Sequence, residues 1–583
     1  MDSPTDNKHE LTTVDTAGGI VGFEVNGDEL PPGYFRSKFF LGSMAAICVS
    51  LWGGVSAFAF AAPILSVINE DIGPDPAYTW IALIYNVTIA VIIAPLGRLS
   101  DIFGRRYFFV ACAALGVLGS IICATAQNVK VLIGGNVFLG VASAAALSFN
   151  YTLSEIVPMK YRYIASGVAF MFTVPGSGCG AIFAYSFIQN HPGVGWRGVY
   201  WLLFAIEMLS FILFVLFYFP PSFAKKHLRD ENQSKMFWIK NFDYIGTFLY
   251  AAGLVIFIMG LSWGGAQYPW KHPATISAIV VGLALMVIFV LWEIYAPLKE
   301  PLMPLRVVKN REWMISALLT SIGASIYYAF AVVWPAQASI LYSNGDLIWL
   351  GAVASALSLA INGGQIISGF LINKIGYSNW QETISLLGVA GFLGGAACST
   401  PYNFSTAISL IVIGNFLVGW NETIAIMNAA ICVNDQKDIG IAAGLAGSMR
   451  SAVSAIAGAI YIAVLTTRLT QTIPAEVPPA LIQAGLPSSS VAGFITALSS
   501  GSATALKAVP GITDAITAAG TIAYKEANAH AYRTVYLTTL AFTGLALLLS
   551  FWAPNTTKYM SNKVAATLHN EEHIPDAEKM EQK

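Results

Sequence analysis

Glu422 and Arg450 stand in the middle of two apolar runs, 405–432 and 440–466, joined by a short polar turn. A charge in mid-bilayer costs about 2.5–3.5 kcal/mol even on a lenient insertion scale, so each must face protein or a water-filled cavity. Each lies about ten residues from the joining turn, or about 15 Å at a rise of about 1.5 Å per residue. Equal depth on adjacent helices allows the two to pair. Such a pair has two uses. Protonating Glu422 releases Arg450 and biases a conformational equilibrium, or the pair statically cements the hairpin; both readings stay open here. Glu207, inside the run 199–219, is a further candidate for proton coupling.

Neutral polar residues recur at helical spacing. Asn136, Ser143 and Asn150 fall at seven-residue steps, as do Asn415 with Glu422 and Asn421 with Asn428, while Asn362 and Gln365 lie three apart. Such steps keep side chains on one face of a helix. The stripes either line a pathway or hydrogen-bond to neighbouring helices, where one bond averages about 0.6 kcal/mol. Asn86, Tyr151, Tyr327, Trp334 and Trp420 complete the pathway candidates. The aromatics among them offer an apolar, π-rich wall to an amphipathic molecule, although any one of them taken alone reads first as packing.

A third cluster is a charged turn wedged between two apolar runs, Gly97-Arg98-Leu99-Ser100-Asp101-Ile102-Phe103-Gly104-Arg105-Arg106. Gly97 and Gly104 permit a tight turn and close helix approach. Asp101 is placed to accept hydrogen bonds at a helix start, and the three arginines offer donors to carboxylates. A second charged pattern is Glu155-x-x-Pro158-x-x-x-Arg162. A degenerate echo of the turn, Gly369-Phe370-Leu371-Ile372-Asn373-Lys374-Ile375-Gly376, occurs far downstream. Two copies of one loop imply two related halves around a central site.

The elements that position these groups are membrane spans. The 583 residues are 56% hydrophobic and only 11% charged, where soluble domains carry about a quarter charged residues. A spanning helix needs about 20 mostly apolar residues, and about fourteen runs satisfy this: 39–65, 77–96, 107–126, 131–156, 163–188, 199–219, 243–263, 275–295, 313–340, 347–372, 382–400, 405–432, 440–466 and 535–553. An even number puts both termini on one side. With the termini in the cytosol, that side holds 23 lysines and arginines against 7 opposite, a clear positive-inside bias. The expected organisation is a cytosolic tail at 1–38, a six-helix bundle at 39–219, cytosolic loops with two inserted helices at 220–312, and a second six-helix bundle at 313–553. The insertion follows from the repeat, because the echoed loop falls between helices ten and eleven. The inserted pair holds few polar residues and is expected to face lipid. Residues 467–534 read as a long extracytoplasmic segment, a passive cap or a lid, with short helical patches. The tail 554–583 reads as charged, cytosolic and disordered.

The turn Gly97–Arg106, of the form G-x-L-x-D-x-x-G-R-[KR], resembles the loop between helices two and three of major facilitator transporters. The start is more specific. Leu30-Pro31-Pro32-Gly33-Tyr34-Phe35-Arg36-Ser37-Lys38-Phe39-Phe40-Leu41-Gly42-Ser43, followed by Ile68-Asn69-Glu70-Asp71-Ile72-Gly73-Pro74, resembles the fungal trichothecene efflux pump family of fourteen-helix drug/proton antiporters, whose relatives include siderophore transporters. The resemblance spans nearly the whole chain. It implies an all-α membrane protein of two six-helix bundles plus two inserted helices, exporting hydrophobic toxins or drugs by alternating access with proton coupling. It also implies that Glu155 and Arg162 join Asp101 and Arg105 in a charge latch that breaks when the halves separate; otherwise these charges only set topology. Val174-Pro175-Gly176-Ser177-Gly178-Cys179-Gly180 resembles the Gly/Pro-rich antiporter motif. Asn136 occupies the position where many proton-coupled drug antiporters carry arginine, so coupled protons must load elsewhere.

The expected partners are a small hydrophobic or amphipathic substrate, protons and the lipid bilayer, and the expected site is the plasma membrane, with a vesicular or vacuolar membrane as the alternative. A ferric-siderophore/proton symporter is the nearest rival, and a non-transporting nutrient sensor a more distant one. Net charge of −1 gives no field for nucleic acid. A phosphate-binding loop of the G-x-x-x-x-G-K-[ST] form is absent from the sequence, so no ATP drive is expected. Neither a nucleophile–base constellation nor metal-ligand spacing occurs, so the chain is not expected to be an enzyme and no metal or cofactor is expected. The six cysteines lie in apolar runs as packing residues.

Overall fold

The computed structural model describes residues 25–26, 33–220, 240–264, 268–299, 301–343, 345–435, 438–499, 506–561 and 563–564. Lipid offers no hydrogen bonds to a backbone, so an apolar chain in a bilayer satisfies its own amides by coiling. The long helical elements are α1 (Lys38–Ile72, with a tight turn at Ala62–Ile64), α2 (Trp80–Phe103), α3 (Arg105–Ala124), α4 (Val129–Ile156), α5 (Met159–Asn190), α6 (Arg197–Phe217), α7 (Tyr244–Trp263), α8 (Pro273–Tyr295), α9 (Arg311–Leu341), α10 (Leu347–Ile375), α11 (Ser378–Gly395), α12 (Phe404–Ile431), α13 (Ile439–Gln483) and α14 (Asp514–Ser550). Among the described residues, thirteen are long and apolar enough to cross a membrane. The exception is α11, whose 18 residues open on Asn379, Gln381 and Glu382. A short antiparallel ribbon pairs β1 (Val25–Asn26) with β2 (Lys563–Val564), which brings both tails to one end of the bundle, here the terminal end.

Helices α1–α6 pack as one half and α9–α14 as the other, with α2 against α13 and α5 against α10 across the seam. Glycines make the seam close. A side chain at Gly97 would strike the Gly440 carbonyl and the Gly444 backbone, and one at Gly369 would strike the Gly167 backbone. The first glycine of each loop copy therefore touches the opposite half. The second, Gly104 at φ 89° and Gly376 at φ 71°, takes a positive-φ backbone that suits glycine and ends each helix. Helices α7 and α8 pair with each other and dock on the α2–α13 seam, where Tyr250 Oη and Ser448 Oγ lie 2.6 Å apart. Leu254 and Phe289 join Val87, Ala90, Ala452 and Ala455 there. The far face of α8, with Val280, Val281, Val287, Ile288 and Leu291, is exposed and predominantly apolar, as suits a lipid-facing surface.

Two segments differ from expectation. The described residues within 467–534 are largely helical. The 45-residue α13 and the 37-residue α14 reach about 68 and 55 Å at 1.5 Å per residue, well beyond a hydrocarbon core of about 30 Å. Their projecting ends enclose a small core of Val477, Leu481, Phe494 and Ile516. Pro474, Pro478 and Pro479 lie inside α13 and read in sequence as a helix stop. The tail is also ordered at its start: Pro554–Ser561 lies against the terminal end, with Thr556 fully buried. The remainder of the expected tail, 565–583, and residues 1–24 fall outside the described residues.

Candidate functional site

Between the halves lies a small cavity lined from both sides. The first half lines it mainly with apolar groups (Leu51, Val55, Phe58, Ile93, Leu147, Phe149 and Phe170), and the second half supplies the charge, Glu422 and Arg450. Glu422 is buried and fully engaged. Its Oε1 accepts from Arg450 Nε at 3.0 Å and is also bonded by Nη2, while its Oε2 accepts from Gln365 Nε2 at 2.9 Å. The equal depth read from the sequence thus becomes a contact, because α12 and α13 are antiparallel neighbours with a fixed rise per residue. The Arg450 guanidinium also lies 5.5 Å from the centre of the Tyr328 ring, within cation–π range.

A neutral bridge crosses the cavity. Ser177 Oγ and Thr173 Oγ1 donate to Asn362 Oδ1 at 3.2 and 3.4 Å, and Asn362 Nδ2 donates to Ser177 Oγ at 3.0 Å. The bridge exists because Val174–Gly178 forms a π turn within α5. Such turns displace side chains from the regular helical register and recur at functional sites. Close packing forces Gly176 here, since a side chain would strike Ser56 and Trp52.

Of the pathway and coupling candidates, the cavity gathers Asn150, Tyr327, Asn362, Gln365, Glu422 and Arg450. Asn86 lines a second, adjoining cavity toward the far end, with Phe58 and Tyr328 shared between the two. These two rings, 5.0 Å apart and edge to face, form the partition. The others serve packing. Asn136 Nδ2 donates to Leu132 O at 2.9 Å, Ser143 Oγ to Gly54 O at 3.1 Å, Asn415 Nδ2 to Ile411 O at 2.8 Å, Trp334 Nε1 to Val353 O at 2.9 Å and Trp420 Nε1 to Gln381 Oε1 at 3.2 Å. Asn421 is buried beside Gly323, and Tyr151 lies under the Arg105 guanidinium. Glu207 is buried inside the first half, in the space left by Gly53 and Gly116, and does not line the cavity. The sequence reading missed Phe58, Tyr328, Thr173 and Ser177 as lining groups. The Tyr327–Tyr328 doublet and the hydroxyls flanking Pro175 were the available signals.

At the terminal end Arg105 pairs with Glu155 and stacks on Tyr151 at 4.2 Å, and Glu155 acts electrostatically on the fully buried Arg162. These three charges come from α3, α4 and α5, so this cluster ties one half together. Arg106 turns away, donating to Val215 O at 3.1 Å and covering Phe219. The Asp101 side chain lies outside the described residues. Across the seam, the charge of Arg98 acts on Asp438, which Arg306 also contacts at 2.7 Å. Burial pushes the Asp438 carboxyl up from its ordinary value against the opposing pull of Arg306. Asn373 Nδ2 donates to Lys160 O at 2.9 Å and Tyr163 Oη to Asn428 Oδ1 at 2.7 Å. At the far end, Ile182 N donates to Ser355 Oγ at 3.2 Å. The cavity is thus bounded by contacts between halves at both ends.

A family model described as the fungal trichothecene efflux pump matches residues 21–579. The chain is 26% identical over 550 residues to Trichothecene efflux pump TRI12 of Fusarium sporotrichioides, covering 93% of this chain and 90% of that one. It is 27% identical over 572 residues to the MFS-type transporter prx5 of Penicillium rubens, covering 97% and 98%. Among solved structures, the proton:xylose symporter XylE superimposes with a TM-score of 0.54 at 14% identity, over 91% of this chain and 99% of that one. The human organic anion transporter MFSD10 gives 0.54 at 12% identity, over 89% and 100%. The fold is that of the major facilitator transporters, and the chain, a multi-pass membrane protein, belongs to the fungal trichothecene efflux pump family.

Proposed function

We propose that this protein exports hydrophobic, trichothecene-like toxins or drugs across the plasma membrane by alternating access, driven by protons, with both termini in the cytosol. The observation that carries the reading is the Glu422–Arg450–Gln365 constellation within the cavity between the halves. A protonatable carboxylate held by a cation at the cargo site is what exchange of a proton for substrate needs: the protonated acid loses its hold on Arg450, and the freed guanidinium and amide then meet polar groups of the cargo. The mostly apolar walls from the first half suit a rigid lipophilic body with a few oxygen functions. The match to efflux pumps supports the direction.

The test is accumulation of labelled compound in cells with and without the protein, comparing a sesquiterpenoid toxin with a ferric hydroxamate. The expected result is lower toxin accumulation with the protein, abolished when the pH gradient is collapsed. Equal toxin levels in both strains, or uptake of the hydroxamate, would count against export of toxins.

A further inference from the structure

The segment following α14 crosses the seam. Thr556, fully buried, reaches both halves: its Oγ1 lies 2.8 Å from Tyr163 Oη of α5 and 3.0 Å from Ser378 Oγ of α11, and it donates to Asn428 Oδ1 of α12 at 3.1 Å. Its amide donates to Ser378 Oγ at 3.0 Å. The next residues repeat the pattern. Lys558 Nζ and Tyr559 Oη contact Glu312 of α9 at 3.0 and 2.8 Å, while Lys160 N at the start of α5 donates to Ser561 O at 3.0 Å. Hydrogen bonds that Lys558 donates to Tyr559 and to Glu312 push its ammonium up to about 12, so it keeps its charge through the physiological range.

We propose that Pro554–Ser561 is a strap that holds the terminal end shut, with Thr556 as its key, and that the strap must leave the seam before the cavity opens on that side. A hydroxyl that bonds to both halves at once loses partners when α5 separates from α11 and α12. The polar groups it occupies then return to water, so release is reversible. The strap acts within the alternating-access reading given above.

Cys432, buried at the end of α12 beside Lys558 and Glu312, is a built-in reporter. The experiment is maleimide labelling of the full-length protein, resolved by peptide mass spectrometry at each cysteine. Thr556→Val keeps the shape and removes the hydroxyl bonds. Their loss should raise Cys432 labelling about tenfold. Buried Cys48 and Cys123 should stay protected and exposed Cys398 unchanged. Ser378→Ala removes the same contacts from the helix side and should act in the same direction, which covers the case in which Thr556→Val exposes Cys48 and so misfolds. Cys432 rates equal to those of the parent protein in both variants overturn the strap. Alternating access has its own readout, a substrate-dependent change of Cys432 labelling in the parent protein. Its absence alongside a faster Thr556→Val variant would sink that reading while leaving the strap as a clasp.

Discussion

Glu422 has both oxygens engaged, one by Arg450 and one by Gln365, so a proton that neutralises it weakens the charge-assisted hold on Arg450. Under the proposed coupling, the carboxylate switches between two hydrogen-bond arrangements. Glu422→Gln keeps the shape and removes the charge. The expected outcome is transport that no longer responds to the pH gradient in vesicles, with cargo exchange retained. Proton-dependent export in that variant would falsify the coupling role and leave a static pair. Arg450→Ala instead strands a buried carboxylate, which costs about 3–5 kcal/mol. A fall in melting temperature much larger than that of Glu422→Gln is expected in a thermal-shift assay. The same scale exposes the limit of polar stripes as a guide. Asn136 and Asn150 share one stripe in sequence, yet Asn136 bonds its own helix and Asn150 lines the cavity, because α4 bends at Ser148 between Leu147 and Phe149.

Among the elements, the loop copies matter as packing devices. Gly97 meets Gly440 and Gly444, and Gly369 meets Gly167, with no room for a methyl group. Overpacking costs about 1–3 kcal/mol, and here it falls on the state closed at the terminal end. Gly97→Ala and Gly369→Ala should each bias the protein open on that side, read as faster labelling of Cys432 and a lowered transport rate at normal expression. The inserted pair makes a separate contribution. Tyr250 bonds to Ser448, which itself bonds to Ala90 O across the seam. Tyr250→Phe should cost about 1 kcal/mol, visible as a modest drop in melting temperature with export retained. Unchanged stability would mean that α7 and α8 ride on the seam without bracing it.

For the whole molecule, contacts between halves at both ends require that one set breaks before cargo can leave. Ile182 and Ser355 touch across the far end. Cysteines at both positions should cross-link under oxidation and arrest export, and reduction should restore it. Full transport in the cross-linked protein would exclude opening at that end. The cap formed by the projecting ends of α13 and α14 stands over the same end, with Lys525 Nζ donating to Leu341 O at 3.0 Å, which links α14 to α9.

Legible in the sequence alone were the apolar spans, thirteen of which qualify among the described residues, the two copies of one loop, and the depth match of Glu422 with Arg450. Each rests on a one-dimensional quantity: the thickness of lipid, the spacing of two loop copies, or the fixed rise of a helix. What only the tertiary structure decided is rotational. Lipid and protein interior are equally apolar, so a span carries little record of which face turns inward, and packing alone sorted Asn150, Asn362 and Gln365 into the cavity and Asn136, Ser143 and Asn415 into helix contacts. It also decided that Arg105 and Glu155 close on their own half, and that the polar segment around Thr556 is buried. A hydroxyl reads as solvent-facing until the partners that satisfy it, Tyr163, Ser378 and Asn428, are brought together from distant parts of the chain.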